Sequence, residues 1–355
     1  CACVFALTFY QSVWKSVILS FFFAALPPAA AALAYYSGYW LPLVIPEFAV
    51  ITAITLSLVV NFATEGVQRQ FIKSAFQQYL NPAFIDQIIA HPEKLTLGGE
   101  RRELSIFFSD LQGFTSISEA LDPESLTALL NDYLSAMTDI IHEENGTVDK
   151  YEGDAIIAFW NAPLDVSDHA CRAVNAALRC QEKLAQLRPQ YLARSGKEIH
   201  MRIGVNTGYA VVGNMGSKDR FDYTMLGDSV NLAARLEGVN KEFGTYTMIS
   251  AETRKQAGDQ FSFRELARVA VVGKKEAVTV FEPFRIEVYN KRKDILINFQ
   301  TGLQLFYQGQ FDAARDVFLS TASVDPAAAK YADKCTDMEK LAVADWNGVW
   351  VMTSK

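Results

Sequence analysis

The chain has 355 residues, half of them apolar and 21% charged, with 33 basic and 40 acidic side chains and a net charge of −7. At roughly 150 residues per domain this length predicts two or three units. The composition excludes a disordered or collagen-like chain and argues against a nucleic-acid binder held mainly by phosphate contacts, since there is no excess of Lys and Arg to neutralise phosphates. Charge is unevenly spread: residues 1–64 carry only Lys15 and Glu47 of the 73 charged side chains. A membrane segment joined to a soluble protein accounts for that partition.

About 20 apolar residues cross 30 Å of hydrocarbon, and two stretches meet the length, 17–36 and 43–62, the first carrying Pro27-Pro28 as an expected kink. Tyr35, Tyr36, Tyr39 and Trp40 cluster between them as an interfacial belt would. The connecting loop lacks Lys and Arg, whereas Arg69, Lys73, Lys94, Arg101 and Arg102 follow the second stretch. The positive-inside rule then predicts a multi-pass protein of the inner (plasma) membrane, its lipid-embedded region being 1–64 and everything later cytoplasmic. A buried soluble hairpin is the alternative. The start at Cys1, with residues 1–14 also apolar, reads as a fragment lacking an upstream part. Five cysteines without a CxxC pair, and four histidines, point away from a zinc site or disulfide framework.

Residues 65–101 read as a helical connector. Val67, Phe71, Ala75 and Tyr79 form a stripe that fits a dimerising stalk or an ordinary amphipathic helix equally well. Asn81-Pro82 restarts a helix, and Gly98-Gly99 ends the connector.

From 102 to 285 strands and helices alternate. Leu104–Ser109 is a strand; Asp122-Pro123 caps a long helix whose apolar residues follow the 3.6 period; Asn145-Gly146 ends it. Strands at Thr147–Tyr151 and Ala155–Trp160 flank a tight Glu152-Gly153-Asp154 turn. A helix over 166–187, a strand over 199–206, strand-like residues over 209–214, a helix from Asp228 to Phe243 and two last strands complete the unit. The order predicts an α+β fold, a ferredoxin-like α/β sandwich with its helices on one face of a sheet.

Asp110 closes the first strand and is followed by Leu111, Gln112 and the loop Gly113-Phe114-Thr115. A carboxylate there can hold a divalent metal while loop N–H groups face phosphate oxygens. Asp154, at the second turn, is the candidate partner, and two converging carboxylates suit a two-metal site. Taken singly, each could be a plain turn or capping residue. Asn231 and Arg235, spaced i, i+4, share a helix face, which could simply be solvated. Gly208, Gly213 and Gly216 do not make a dinucleotide loop, and Ser217-Lys218 does not complete a P-loop.

Four blocks in order carry a resemblance: Glu103 to Thr115, Asp149 to Ala155, Arg202 to Gly208, and Tyr223 to Glu237. Over about 180 residues the chain resembles the catalytic domain of class III nucleotidyl cyclases. The resemblance implies that Asp110 and Asp154, with the Leu111 carbonyl, bind two Mg²⁺ (or Mn²⁺) ions. It implies that Lys150 and Thr224 select the purine, that Asn231 orients the ribose, that Arg235 stabilises the transition state, and that Lys274 contacts the triphosphate. Lysine can donate to adenine N1, so Lys150 with Thr224 points to ATP, although the family often has Asp where Thr224 stands. The implied activity is ATP to 3′,5′-cyclic AMP and pyrophosphate in signal transduction, at a site shared across a homodimer. A guanylate cyclase and a catalytically dead dimerising adaptor are the competing readings. Cyclases of this organisation often carry a CHASE-type sensory domain upstream; the expected outer loop here is only Ser37–Leu41.

Residues 290–345 read as a helical hairpin. Gly302, Gly309, Ala314, Phe318 and Pro326 fall at spacings like those of one tetratricopeptide repeat (TPR), with Pro326 ending the unit. One repeat cannot bury its own face, so this TPR-like segment is expected to pack on the cyclase domain, on the partner subunit or against Trp346 and Trp350. A protein partner for it is a further expectation.

Overall fold

The computed structural model describes residues 13–57, 59–60, 97–270, 277–341 and 346–351, and the chain divides into two units, 1–89 and 90–355. The expected connector over 65–96 and Lys274 lie outside the described residues.

In the first unit, helix α1 (Val13–Tyr36) runs without interruption through Pro27 and Pro28. Its Ile18–Tyr36 stretch has a mean hydropathy of 1.8 over 19 residues, long and apolar enough to cross a membrane. Phe21, Phe22, Leu33 and Tyr35 are exposed on it. Helix α2 (Val44–Ser57) is shorter. Its Thr52 and Thr55 hydroxyls donate to the carbonyls of Phe48 and Ile51 at 2.7 and 2.9 Å, which satisfies them within the helix. Two spans were expected; among the described residues one helix has the spanning length, and the second stretch, 43–62, runs past them.

In the second unit, β1 (Gly98–Leu111) is followed by α3 (Phe114–Ser118), α4 (Pro123–Glu143), β2 (Thr147–Glu152), β3 (Ala155–Trp160), α5 (His169–Ser195) and β4 (Met201–Gly216). Their strand order, β2-β3-β1-β4, is antiparallel throughout, which is the ferredoxin-like βαββαβ arrangement. Expectation and structure agree on α4, whose N-cap Asp122 accepts from the Ser125 amide. They differ on length. β1 and β4 pair from Gly98↔Asn214 to Leu111↔Met201, so Gly98-Gly99 opens the strand instead of ending a connector, and the two pieces read at 199–214 are one strand. The middle of that ribbon is buried on both faces, and a covered strand need not show period-2 alternation.

β5 (Phe221–Leu226) pairs with the far half of β4, and α6 (Asp228–Phe243) follows. The sheet then extends through β6 (Thr247–Ser250), β8 (Val278–Phe284), β7 (Ser262–Ala270) and β9 (Trp350–Val351), with α7 (Ala251–Ala257) after β6. Helices cover both faces, which corrects the one-face expectation. Phe107, Trp160 and Val205 face α4 and α5, packed with Leu129, Tyr133 and Val174. The alternate residues Leu104, Ile106, Ile157 and Phe159 face the other way, with Met225 and Ala233. On that side α6 lies against β4 at Gly204, where a Cβ would fall 2.3 Å from the Glu237 nitrogen. Only glycine permits so close an approach.

After the short helix α8 (Ile286–Lys291), the C-terminal segment forms three helices, α9 (Lys293–Tyr307), α10 (Phe311–Leu319) and α11 (Pro326–Leu341), not a two-helix hairpin. Pro326 opens the third helix, where its missing N–H costs nothing. Phe299, Leu303, Phe306 and Tyr331 share one core with Phe243, Leu266, Val269 and Val280, so these helices are built into the same unit as the sheet. Buried Arg264 on β7 bonds both Glu282 on β8 and Asp325, and β9 adds to β7 at Val269↔Trp350.

Candidate active site

The site begins where β1 ends. Asp110 and Leu111 are its last residues, and Gly113, at φ 74°, turns the chain directly into α3. The Phe114 and Thr115 amides therefore lie in the first turn beside Asp110. Asp154 reaches the same place from the β2–β3 hairpin, whose loop is Gly153-Asp154 with Gly153 at φ 66°, a left-handed conformation glycine takes without strain. The Leu111 amide donates to Asp154 Oδ2 at 2.9 Å. Burial and the neighbouring Asp110 charge raise the Asp154 pKa, and the Leu111 hydrogen bond offsets only part of that.

On the other side of Asp110, its cross-strand partner in register is Arg202. Arg202 donates from Nη2 to Asp110 Oδ2 at 2.8 Å and from Nε to Glu237 Oε1 at 2.9 Å. The Glu237 carboxyl is pushed up mainly by burial, against the pull of Arg202. Arg202 and Glu237 are each 16% exposed, so this chain ties the end of β1 to β4 and α6.

A second cluster forms around Asp149. Thr224 on β5 donates to Asp149 Oδ2 at 2.8 Å, and Lys150 Nζ lies 3.9 Å from the same oxygen. β3, β1 and β4 separate β2 from β5 in strand order, so the β4–β5 arm folds back over the sheet. The contact of Tyr223 with Phe159, ring centroids 6.2 Å apart, is part of that closure. In β2, Val148 stands opposite Ala158 and Lys150 opposite Ile157, leaving Asp149 as the extra residue of a β-bulge. A bulge re-aims side chains that strict alternation would send to opposite faces.

Asn231 is exposed on α6, and Arg235 follows one turn later. The buried stripe of this helix is Leu232, Leu236, Val239 and Phe243, so both residues sit on its flank. Arg235 has one guanidinium nitrogen, Nη1, buried without a hydrogen-bond partner. Among the described residues neither bonds to the Asp110–Asp154 pair or to Asp149. The structure thus brings Asp110, Leu111 and Asp154 together and, separately, Lys150 and Thr224.

Sequence reasoning missed Asp149, Arg202 and Glu237. Each lies inside a motif block, but its importance depends on a bulge or on register, neither of which composition reveals. As a metal centre, the site offers two carboxylates and a carbonyl, all hard oxygen donors suited to Mg²⁺ or Mn²⁺. Burial and, after it, the Asp110 charge both disfavour an ionised Asp154, and a bound divalent cation would offset both. No group of three or more His, Cys, Asp or Glu assembles among the described residues, so further ligands would come from substrate phosphates and water.

This fold, with two aspartates meeting at the end of a ferredoxin-like ribbon, defines a nucleotidyl-cyclase type of domain. Residues 99–282 match the family described as the adenylate and guanylate cyclase catalytic domain, and the chain belongs to that family. Adenylate cyclase 1 of Rhizobium meliloti is 37% identical over 182 residues, 51% of this chain and 27% of that protein. An adenylate cyclase of Anabaena cylindrica is 33% identical over 241 residues, 64% of this chain and 47% of that one. The chain therefore spans less than half the length of these curated relatives. Among solved structures, the adenylyl cyclase CyaB from P. aeruginosa superposes with a TM-score of 0.50 at 36% identity, over 53% of this chain and 96% of that one. A bacterial light-regulated adenylyl cyclase gives a TM-score of 0.53 at 28% identity, over 63% and 64%.

Proposed function

We propose that this chain is an adenylate cyclase, converting ATP to 3′,5′-cyclic AMP and pyrophosphate at the interface of a homodimer. The observation that carries the reading is the meeting of Asp110 and Asp154 through the Leu111 amide, in a family whose named relatives include adenylate cyclases. Asp110, Asp154 and the Leu111 carbonyl would hold two Mg²⁺ (or Mn²⁺) ions, which supply Lewis acidity at the 3′-hydroxyl and the phosphates.

The chain's own groups do the rest. Lys150 donates to adenine N1, and Thr224 accepts from the exocyclic amino group. Asn231 holds the ribose so that its 3′-oxygen lines up with the α-phosphorus. The new bond forms from the 3′-oxygen to that phosphorus, the bond to the pyrophosphate oxygen breaks, and the 3′-hydroxyl proton leaves to water. Arg235 donates to the phosphoryl oxygens as charge builds on them, and an otherwise unpartnered guanidinium nitrogen is suited to that task. The Gly113, Phe114 and Thr115 amides and Lys274 complete the triphosphate contacts. One protomer gives the metal-binding side and its partner gives Lys150, Thr224, Asn231 and Arg235, so each dimer has two sites. Helix α1, long and apolar enough to span, anchors the enzyme in a membrane with the catalytic unit on the cytoplasmic side, and the C-terminal helices offer a surface to a partner.

The test is to incubate the detergent-solubilised full chain with ATP or GTP and Mg²⁺ or Mn²⁺ and to assay cyclic product. Cyclic AMP from ATP is expected. No cyclic product from either nucleotide would overturn the enzyme reading, and preferential cyclic GMP would reassign the substrate.

A further inference from the structure

The base-reading side chains of the proposed site share one buried anchor. Asp149 is 4% exposed while Lys150 beside it is 40% exposed. Its Oδ2 takes the Thr224 hydroxyl hydrogen at 2.8 Å and faces the Lys150 ammonium at 3.9 Å, and its Oδ1 is buried without a hydrogen-bond partner. Burying a carboxylate with one oxygen unsatisfied is costly. The interactions that offset this cost run to Thr224 and Lys150. The bulge that turns Asp149 toward them is itself a local departure from regular pairing, and such departures gather beside functional sites.

The hydrogen-bond inventory then decides what Thr224 can do. A threonine hydroxyl has one hydrogen and two lone pairs. With no anchor it rotates, donating to a carbonyl or accepting from an amine with equal ease. Once its hydrogen is committed to a carboxylate, only the lone pairs face a ligand. Adenine carries an amino donor at position 6, and guanine carries a carbonyl acceptor there. We propose that Asp149 is a positioning residue for base selection: it fixes Thr224 as an acceptor-only group, so that a neutral side chain discriminates a 6-amino purine from a 6-oxo purine. The same oxygen holds the Lys150 ammonium near the base. This inference rests on the adenylate cyclase reading above and deepens it, because neither Thr224 nor Lys150 alone accounts for the rejection of a 6-carbonyl.

The experiment measures kcat/KM of the full chain for ATP, for GTP and for purine riboside triphosphate, which lacks any 6-substituent. Wild type, Asp149→Asn, Asp149→Ala, Thr224→Val and the Asp149→Asn/Thr224→Val double variant are compared, with folding checked by circular dichroism. The ATP-to-GTP ratio is expected to fall about 5- to 10-fold in a folded Asp149 variant, the size of one hydrogen bond made or opposed. The preference for ATP over purine riboside triphosphate should fall with it. In the double variant the ratio should equal that of Thr224→Val alone, because the two residues act as one unit. Three results overturn the inference: equal loss on all three nucleotides with the ratios unchanged, additive losses in the double variant, or a wild type that prefers GTP. If the wild type forms no cyclic product from any nucleotide, the adenylate cyclase reading falls and takes this inference with it, a result distinct from active enzyme with unchanged ratios. Two Asp149 variants are included so that a fold failure in one leaves the other to decide.

Discussion

The Leu111 amide and the Asp154 carboxylate, 43 positions apart in the chain, meet at 2.9 Å. This contact fixes the β2–β3 hairpin tip against the end of β1 and leaves the Asp110 carboxylate beside that of Asp154. Two like charges are thus held together by the backbone.

Removing either charge should remove metal binding and turnover together. Asp110→Asn and Asp154→Asn are each expected to lower the rate by on the order of 10³-fold or more. Saturating Mn²⁺ should raise the Tm of the wild type by about 5 °C or more, as binding at 100 times Kd stabilises by about 2.7 kcal/mol. In either variant that shift should vanish. A full thermal shift in Asp154→Asn would show that the metal binds elsewhere.

The same crowding predicts how metal-free stability depends on pH. The Asp154 pKa in the folded protein is raised above its ordinary value, 3.8, by burial and by Asp110. Between the two values the folded state binds more protons than the unfolded state, so stability falls as pH rises through that window and is flat above it. Asp154→Asn should therefore be more stable than wild type at pH 7 in the presence of a chelator, and the difference should close below about pH 4. Urea denaturation at the two pH values checks this, and a destabilised variant at pH 7 would contradict it.

Residue type and spacing were enough to find the ends of α4, the Gly153-Asp154 turn and every block that carries the family likeness. They did not give the full length of β1 or the continuity of β4, which reads as two pieces. β4 is buried on both faces over most of its length, which erases the alternation a half-exposed strand displays, and Thr207-Gly208 in its middle looks like a break. The same limit hid the site's supporting residues. Arg202 matters because β1 and β4 place it opposite Asp110, and register is a property of two strands, not of one. The C-terminal helices were legible as helices, but their burial against β7 and β8 depends on partners some sixty residues distant.

Arg202 bridges two carboxylates, so its loss leaves both without their cation. Arg202→Gln should destabilise the unit by about 2 kcal/mol, below the range for a fully buried pair because all three groups keep some water contact. At the size of this unit that is a fall in Tm of roughly 5 °C. Arg202→Lys should recover only part of it, since an ammonium cannot reach both partners with fixed geometry. Unchanged stability in Arg202→Gln would show that the ion-pair chain is not held in solution.

Two variants that are each inactive should complement one another if the site is shared between protomers. Asp110→Asn damages the metal side and Arg235→Ala the opposite side. Mixing them after reversible dissociation, or expressing them together, gives mixed dimers in which one of the two sites is intact on both sides. With half of all dimers mixed, activity should return to about a quarter of wild type. Persistent inactivity of the mixture, with mixed dimers demonstrated by differential tags, would place all the residues of one site in a single protomer.

Nucleotide preference itself should depend on pH through Asp149. Burial raises its pKa, against the Thr224 hydrogen bond and the Lys150 charge and with the help of Asp222 and Glu152. As pH falls into that raised range, protonated Asp149 ceases to be an acceptor-only partner, its own O–H can donate to Thr224, and the Thr224 hydrogen is released to donate to a 6-carbonyl. The ATP-to-GTP ratio should therefore decline as pH falls through the raised Asp149 pKa, whereas protonation of Asp154 slows both nucleotides alike and cancels in the ratio. Asp149→Asn should show a lower ratio that no longer changes with pH. A wild-type ratio that stays level while both rates fall would mean that Asp149 remains ionised throughout the working range, and that acid inactivation acts at the metal carboxylates alone.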